Sequence, residues 1–368
     1  MKRIKVLSVI GTRPEAIKMA PLIKILGATP QIESVVCVTA QHRQMLDSVL
    51  STFGIVPHYD LNVMEKDQTI SDVTNKVLSE VDKVIKKEKP QIVLVHGDTT
   101  TAFAGSLAAF YNKVSIGHVE AGLRTDNKYS PFPEEMNRQM IDCMTDLFFA
   151  PTELSRQNLL RQNIPTEKIF VTGNTAIDAM STTVCKDYRH EVLDWVGDSR
   201  LLLLTAHRRE NLGEPMKQIF TGIRRALEEV RDVKAVYPMH MNPRVREIAT
   251  DVFSGCENVR LMEPLEVSDF HNFQSRAHLI LTDSGGIQEE APSLGKPVLV
   301  LRDNTERPEG ISAGTLRLAG TKADSVYSAT VKLLTDTAEY EKMSHAVNPY
   351  GDGHASERIA DAIVNHFS

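Results

Sequence analysis

Short runs of β-branched and aliphatic residues alternate along this chain with longer segments of helical periodicity. The runs that predict strands are residues 4–10, 35–39, 92–96, 115–119, 147–150 and 169–172, followed by 201–205, 234–238, 259–262, 279–282 and 297–301. The helix-length segments between them include residues 15–26, 70–87, 100–111, 134–144 and 216–230. Short apolar strands that alternate with longer helices are typical of βαβ units. Because such crossovers are right-handed, each series of strands predicts an α/β domain with a doubly wound parallel sheet.

The two series of strands are separated by a mostly polar segment, residues 176–198, where we place the domain linker. We therefore expect one domain over residues 1–175 and a second over residues 176–354. Residues 355–368 predict a final amphipathic helix that could pack on the first domain, although the sequence alone leaves its position open.

Composition and charge narrow the classes of function. The chain has 368 residues, of which 42% are hydrophobic and 24% charged, and its formal net charge is −6. This charge and the lack of a long basic run argue against nucleic acid as the main partner. No stretch approaches the ~20 apolar residues of a membrane span, and the N-terminal apolar run is typical of a first strand rather than a signal peptide.

The cysteines indicate the compartment. Cys37, Cys143, Cys185 and Cys256 are widely spaced in the sequence, whereas a disulfide framework or a zinc site needs closer grouping. Four scattered thiols fit a reducing cytoplasm.

Polar motifs directly follow the predicted strands in both halves of the chain. In the first half they begin at Gly11, Gln41, Gly97 and Glu120, and in the second half at His207, His240, Asp283 and Arg302. Ligands of open parallel sheets bind beyond the carboxyl ends of the strands. We therefore expect a charged rim on each domain, and the economical arrangement places the two rims across one cleft.

Two glycine-containing turns suit a phosphate group. The GTRP motif at residues 11–14 combines a glycine, the cation Arg13 and a proline suited to the first turn of a helix. Residues 284–286, Ser-Gly-Gly, open another helix in the same way, and Glu290 in that helix could reach a ribose. An ordinary βα turn is the alternative for both segments, and a carboxylate that favours the helix start is the alternative for Glu290.

Acidic residues carry more information. Asp98 and Glu120 each follow an apolar strand directly. If those strands are neighbours, about 5 Å apart, both carboxylates project into the same crevice beyond the strand ends. Burial and like charge then separate the pKa values of the two acids. Glu134 and Glu135 begin the next helix, and for Glu135 we favour a capping or surface role. His207, which precedes two arginines, could supply a general acid beside a diphosphate clamp.

Other patterns exclude common cofactors. His96 and His118 lie inside strand ends and are interpreted as buried, hydrogen-bonded histidines. No G-x-G-x-x-G motif follows the first strand, no Walker loop is present, and no His/Cys cluster indicates a metal. The residues alone therefore predict a two-domain α/β enzyme with a phosphate-rich ligand. A nucleotide diphosphate is favoured and the reaction is left open.

Nine motifs follow one another along the chain. They are GTRPEAIKMAP (11–21), QHR (41–43), HGDT (96–99), HVEAGLR (118–124), FPEEMNR (132–138), HRREN (207–211), His240, DSGGIQEE (283–290) and ERPE (306–309). Together they closely resemble the motifs of bacterial non-hydrolysing UDP-N-acetylglucosamine 2-epimerases. The resemblance implies two Rossmann-like domains facing across a cleft, the glycosyltransferase-B type. It also implies a homodimer and no added nicotinamide or metal.

The resemblance implies reversible conversion of UDP-N-acetylglucosamine to UDP-N-acetylmannosamine for cell-envelope polysaccharide synthesis. The sugar C2–H is next to no carbonyl, so its proton is removed while UDP leaves C1, which gives 2-acetamidoglucal. UDP then re-adds with protonation on the opposite face. This route needs acid and base groups on both faces of the ring and stabilisation of the departing diphosphate.

The matching motifs assign roles to particular positions. The catalytic candidates are Asp98, Glu120, Glu134 and His207, with base and acid unassigned. The substrate-binding candidates are Arg13, Lys18, Ser284, Gly285, Gly286 and Arg307 for the phosphates and adjacent groups, Glu290 for the ribose, and Leu265 with Phe270 for the uracil side. A second UDP-N-acetylglucosamine, bound as an activator, would use Gln41, His42, Gln44, Glu134, Arg208 and His240. Relatives with that second site often carry an arginine where this chain has Asp67.

Three other functions share the expected fold. A UDP-sugar-dependent glycosyltransferase would need an acceptor groove, and a hydrolysing epimerase would release free N-acetylmannosamine and UDP. A non-catalytic UDP-sugar sensor would bind its ligand without turnover. The presence of Asp98, Glu120, Glu134 and His207 together argues against the sensor.

Overall fold

The structure, a computed structural model, describes residues 3–39, 43–65 and 67–368, with the backbone alone for residues 43–45. The chain forms two compact units. Unit 1 comprises Met1–Thr182 and Tyr350–Ser368, and unit 2 comprises Thr183–Pro349.

In its described residues, unit 1 contains one seven-stranded parallel sheet of order β3-β2-β1-β4-β5-β6-β7. Its strands are β1 (Ile4–Ile10), β2 (Ile32–Val38), β3 (Tyr59–Asp60), β4 (Ile92–His96), β5 (Ser115–Val119), β6 (Leu147–Ala150) and β7 (Ile169–Val171). Its helices are α1 (Arg13–Ala28), α2 (Arg43–Thr52), α3 (Ile70–Glu88), α4 (Thr100–Tyr111), α5 (Glu134–Met144), α6 (Glu153–Arg161), α7 (Thr175–Thr183) and, at the end of the chain, α16 (Ala355–Phe367).

Unit 2, which is described throughout, contains a six-stranded parallel sheet of order β10-β9-β8-β11-β12-β13. Its strands are β8 (Arg200–Thr205), β9 (Val233–Pro238), β10 (Val259–Met262), β11 (Leu279–Thr282), β12 (Val298–Val300) and β13 (Leu316–Leu318). Its helices are α8 (Glu191–Val196), α9 (Glu214–Glu229), α10 (Pro243–Val252), α11 (Val267–Arg276), α12 (Gly285–Glu290), α13 (Pro308–Ala313), α14 (Ala323–Thr335) and α15 (Thr337–Ser344).

Both sheets confirm the predicted fold class, a pair of Rossmann-like doubly wound sheets. The strand order reverses between β1 and β4 in unit 1 and between β8 and β11 in unit 2, and each of these pairs is parallel. A reversal of this kind opens a crevice beyond the carboxyl ends of the strands, where ligands of such sheets bind. The polar motifs after β1, β4, β8 and β11 therefore lie at the two reversal points.

Local sequence explains how the elements at these points begin and pack. α1 starts with a capping box, in which Thr12 accepts from the backbone N–H of Glu15 while the Glu15 carboxylate accepts from that of Thr12. The final helix α16 packs against α1, and Asp178 of α7 accepts from the backbone N–H of Ser356 at 2.7 Å. The described start and end of unit 1 are thereby joined.

Two short edge strands are absent from the sequence-based prediction. β3 has two residues, one of them charged, and β13 has three residues with Arg317 at its centre. Neither is long enough for the apolar run that indicates a buried strand, and each forms by pairing with a longer neighbour. β2 begins at Ile32, three residues before the predicted start, because it pairs with the whole of β1.

The structure also bears on the expectations about cysteines and membranes. The four cysteines, all of them among the described residues, carry free thiols. In the described part of the chain, no helix has the length and apolar composition that a membrane span requires.

Candidate functional site

Two predicted catalytic acids lie side by side in unit 1. β4 and β5 are paired neighbours, so the residues that follow them, Asp98 and Glu120, leave the same edge of the sheet. Arg138 of α5 joins them. Its Nη2 donates to Asp98 Oδ2 and lies 3.3 Å from Glu120 Oε2, and its Nη1 donates to the Glu120 carbonyl oxygen. One buried guanidinium thus determines the positions of both carboxyl groups.

Glu120 is buried, and its carboxylate contacts a second cation, Lys18 of α1. Burial alone would raise the pKa of Glu120, but the charges of Lys18 and Arg138 lower it well below its usual value. The carboxylate is therefore ionised at neutral pH. Asp98 has a more open side chain, 32% exposed against 9% for Glu120, and is the acid with more access to a ligand.

The third acid of unit 1, Glu134, is the first residue of α5 and is half-buried. It precedes Arg138 by four residues, so the two side chains share one face of the helix. The first turn of α5 also contacts the loop after β4, because Asn137 Nδ2 donates to the carbonyl oxygen of Asp98 at 3.0 Å. The start of α5 therefore lies beside the Asp98 loop.

The predicted phosphate-binding segment of unit 1 is the start of α1. Arg13 is its first residue and is half-buried. Glu15, which carried no predicted role, is fully buried and accepts from the backbone N–H of Gly11 and from the hydroxyl of Thr99. Burial raises its pKa to about 7, against the opposing effect of these hydrogen bonds. Glu15 therefore connects the loop after β1 to the loop that carries Asp98.

The two strand-end histidines are buried, as expected. His118 is hydrogen-bonded as well, with Nδ1 2.6 Å from Asp142 Oδ1 and Nε2 2.7 Å from the carbonyl oxygen of Gly97. His96 differs from the prediction, since its Nε2 has no hydrogen-bond partner among the described residues. Burial lowers the pKa of His96 to about 3, so the ring is neutral.

The expected surface or capping role of Glu135 is wrong. Its side chain is buried, with 3% exposure, and accepts from the backbone N–H of Thr125 at 3.0 Å and from Gln139 at 2.8 Å. The carboxylate thus holds the loop between β5 and α5 in place.

In unit 2, His207 follows β8 and its side chain is 40% exposed. The ring stacks on His240 with centroids 5.5 Å apart and planes 13° apart. Its Nδ1 lies 3.5 Å from Oδ1 of Asp283, a fully buried carboxylate. Burial, together with the charges of His240 and Arg208, lowers the pKa of His207, while Asp283 opposes this shift. The structure thus brings His207 together with His240, a residue of the predicted activator site.

Two predicted arginines lie over the Ser-Gly-Gly turn. A Cβ atom on Gly285 would lie 3.6 Å from Nη2 of Arg307 and 3.8 Å from Nη2 of Arg208. Arg307 is paired with Glu289, and Arg208 lies 3.6 Å from a carboxylate oxygen of Glu306. Ser284 precedes the short helix α12 at its N-cap position, without a capping hydrogen bond from its side chain, and the helix begins with Gly285 and Gly286. Because Gly285 has no side chain, a phosphate can approach the backbone closely at this turn, where two guanidinium groups are near.

Glu290, at the end of the same helix, is mostly buried. Its Oε2 accepts from Gln274 at 3.2 Å and lies 3.8 Å from Nε2 of His271. Leu265 and Phe270, the predicted uracil contacts, are half-buried against the core beside β11 and β12. Three predicted residues lie outside this description: Gln41 and His42 are not among the described residues, and the side chain of Gln44 is not described.

Besides Glu15, two residues with contacts in these clusters were not predicted. Arg138 stands four residues after Glu134, and this spacing was the signal that could have identified it. Asp283 lies within the DSGG motif, but its contacts are to residues more than 70 positions away in the sequence, so no local pattern indicates them.

The fold and the charged clusters define a class of protein, one built of two Rossmann-like units with charged residues beyond the carboxyl ends of each sheet. The family model described as UDP-N-acetylglucosamine 2-epimerase matches residues 24–364. The chain therefore belongs to the UDP-N-acetylglucosamine 2-epimerase family, a family of isomerases, and the family predicted from the motifs is confirmed.

Individual relatives are similar over their full length. The UDP-N-acetylglucosamine 2-epimerase of Bacillus subtilis (strain 168) is 61% identical over 367 residues, which cover 100% of this chain and 97% of that protein. A crystal structure from Listeria monocytogenes has a TM-score of 0.96 at 55% identity, covering 99% of this chain and 97% of that one. The crystal structure of the UDP-GlcNAc 2-epimerase of Neisseria meningitidis bound to UDP-GlcNAc has a TM-score of 0.88 at 48% identity. The match covers 98% of this chain and 100% of that one.

Proposed function

We propose that this protein interconverts UDP-N-acetylglucosamine and UDP-N-acetylmannosamine by inverting C2 of the sugar. The observation that carries the proposal is the pair of carboxylates at adjacent strand ends, Asp98 and Glu120, held by Lys18 and Arg138. A reaction that removes and replaces a carbon-bound proton needs such positioned acid–base groups. The substrate is supported by the relative from Neisseria meningitidis, which is bound to UDP-GlcNAc.

The proposed route is elimination followed by re-addition. A base takes the proton from C2, the electron pair forms the C1=C2 bond, and the C1–O bond breaks with the electrons leaving on UDP. The 2-acetamidoglucal stays bound until UDP attacks C1 again and C2 is protonated on its opposite face. In this proposal Asp98, Glu120, Glu134 and His207 supply the acid and base groups, with Arg13 near the reacting sugar and phosphates.

The diphosphate leaves with negative charge, which cations must stabilise. Arg208 and Arg307, both close to Gly285, can contact it through their guanidinium forks. We propose that Ser284, Gly285 and Gly286 bind the phosphates, and that Glu290 accepts hydrogen bonds from the ribose. Leu265 and Phe270 would then contact the uracil side of the nucleotide.

The proposed function extends to the assembly of the protein, its cellular location and a second bound ligand. We propose a homodimer, since Phe110 and Tyr111 at the end of α4 expose 56% and 64% of their surface and a second copy could cover them. We also propose a cytoplasmic enzyme that supplies cell-envelope polysaccharide synthesis. A second UDP-N-acetylglucosamine that acts as an activator would contact Arg208 and His240.

The proposal is tested by incubating the purified chain with UDP-N-acetylglucosamine and, separately, with UDP-N-acetylmannosamine. The same mixture of both nucleotide sugars is expected from either side, without an added acceptor. Free N-acetylmannosamine with UDP would identify a hydrolysing enzyme instead. Transfer only when an acceptor is added would identify a glycosyltransferase, and binding without conversion a sensor.

A matched pair of variants tests the proposed catalytic acid. Asp98→Asn should reduce turnover by about 10²-fold or more and leave UDP binding largely intact, because the carboxylate acts on the sugar. Asp361→Asn alters an exposed acid on α16 and should leave turnover unchanged. Rates of Asp98→Asn close to those of the unaltered chain would remove Asp98 from the catalytic set.

A further inference from the structure

Asp283 is a buried carboxylate with an unusual number of donors directed at it. It follows β11 and has no exposed surface. Its oxygens accept from the backbone N–H of His207 at 2.9 and 3.1 Å, from the backbone N–H of Arg208 at 2.9 Å, and from Nδ2 of Asn211 at 3.1 Å. A carboxylate that receives this many hydrogen bonds is fixed in position.

The same carboxylate lies beside the imidazole of His207. The distance from Nδ1 to Asp283 Oδ1 is 3.5 Å, so a proton on Nδ1 faces a negative charge. A neutral imidazole carries its proton on one nitrogen, and the partner of that nitrogen determines which one. A proton held on Nδ1 leaves Nε2, at the other side of the ring, unprotonated, so Nε2 can take up a proton and later return it.

The stacked ring of His240 has the opposite arrangement. Its Nδ1 accepts from the backbone N–H of Asn242 at 3.1 Å, so its neutral form carries the proton on Nε2. Protonation of Nδ1 would break that hydrogen bond. Of the two stacked rings, His207 is therefore the one with a nitrogen available for proton exchange.

We propose that Asp283 is a positioning residue for His207, which holds the proton on Nδ1 so that Nε2 is the atom that exchanges a proton with the substrate. Its backbone contacts fix the loop after β8, and its charge selects the tautomer. The identity of the substrate rests on the function proposed above. The groups that face His207 are Asp283 from the β11 loop, His240 from the β9 loop and the adjacent Arg208.

The tautomer can be observed without any ligand. In the full chain labelled with ¹⁵N-histidine, long-range ¹H–¹⁵N NMR distinguishes a protonated from an unprotonated ring nitrogen, and the signals of His207 are those lost in His207→Gln. Above its titration midpoint, we expect His207 to be protonated on Nδ1. A ring protonated on Nε2 in the unaltered chain would overturn the proposal, whatever any variant does.

Two variants separate the charge of Asp283 from the loop that it holds. Asp283→Asn should move His207 toward the Nε2-protonated tautomer and move its titration midpoint to lower pH. Asn211→Ala removes hydrogen bonds to Asp283 and to the Leu301 carbonyl oxygen but keeps the carboxylate, so the tautomer should be unchanged. An unchanged His207 signal in folded Asp283→Asn would contradict the proposal.

Kinetics give a second readout. Asp283→Asn is expected to lower kcat by about 10²-fold, with a smaller change in KM, because the loss lies in proton transfer rather than binding. A change in KM with no change in kcat would contradict a positioning role. If the unaltered chain shows the expected tautomer but does not epimerise the sugar, the proposed function fails while the assignment of Asp283 stands.

Discussion

Arg138 is the residue on which the unit 1 cluster depends most, because one guanidinium contacts both carboxyl groups and the carbonyl oxygen of Glu120. It is 4% exposed, so its charge is compensated by Asp98 and Glu120 rather than by water. Both carboxylates would remain after its removal, close together and without this partner. Breaking a buried ion pair in this way is far more costly than its net contribution suggests.

Replacing Arg138 by methionine tests this dependence. We expect Arg138→Met to lower the free energy of unfolding by about 3–5 kcal/mol, measured by urea denaturation. Arg156→Met removes an arginine paired with Glu153 at the surface of α6 and should cost less than about 1 kcal/mol. Equal effects of the two substitutions would show that Arg138 does not compensate buried charge.

The lowered pKa of Glu120 has a consequence for acid stability. Its folded pKa lies well below the ordinary 4.5, so near that pH the unfolded chain binds a proton that the folded chain does not. The resulting stability is complete above the unfolded pKa and is lost as the pH falls through the folded value. We expect the free energy of unfolding of the unaltered chain, relative to Glu120→Gln, to be constant above about pH 6 and to shrink below 4.5.

The control for that comparison is Glu341→Gln, an exposed position on α15. Its difference from the unaltered chain should not vary over the same pH range. A Glu120→Gln difference that is equally constant from pH 3.5 to pH 7, measured by urea denaturation, would contradict an ionised, stabilising Glu120.

Sequence patterns identify these residues unevenly. The position of Asp98 and Glu120 after apolar strands predicted that the two acids project into the same crevice. The pairing of β4 with β5 places both acids at neighbouring strand ends. Arg138 contacts Asp98 from 40 positions away, and that contact depends on how α5 packs over the sheet. The contacts of Asp283 are equally hard to predict from the sequence, since its partners come together only when β8 and β11 pair.

At the scale of elements, periodicity predicts the long segments well and the short ones poorly. α4 and α5 have the predicted bounds, because their apolar spacing and starting residues agree with a helix. β3 and β13 are too short for any pattern, and their conformation depends on an existing strand beside them.

Close packing between α9 and α14 of unit 2 gives a test at this scale. A Cβ atom on Gly222 would lie 2.5 Å from the carbonyl oxygen of Ala323 and 3.0 Å from Cβ of Val326. Gly222→Ala must therefore push the two helices apart, and we expect it to lower the free energy of unfolding by about 1–3 kcal/mol.

Gly27, inside α1, is the matched control for Gly222. A Cβ atom there would contact nothing within 4 Å. Gly27→Ala should therefore stabilise the protein by about 0.5–1 kcal/mol, because alanine favours the helix. Thermal unfolding of both variants measures the contrast. A Gly222→Ala substitution that is neutral or stabilising would contradict the close approach of α9 to α14.

At the scale of the whole molecule, the alternation of strands and helices was sufficient to predict two doubly wound sheets. We propose that the two compact units correspond to the two predicted domains. Each unit has charged side chains beyond the carboxyl ends of its strands. They are the acids and Lys18 in unit 1 and the arginines and His207 in unit 2. The proposed substrate has matching parts, a sugar carbon that exchanges a proton and a diphosphate that needs cations.

The most direct test of the central claim is proton NMR of the purified protein with UDP-N-acetylglucosamine in D₂O, without added nicotinamide or metal. Removal and replacement of the C2 proton should yield UDP-N-acetylmannosamine that carries deuterium at C2. Epimerised product that retains its original proton at C2 would contradict an elimination and re-addition in which the proton exchanges with solvent. A nucleotide sugar that remains unchanged would contradict the proposed activity itself.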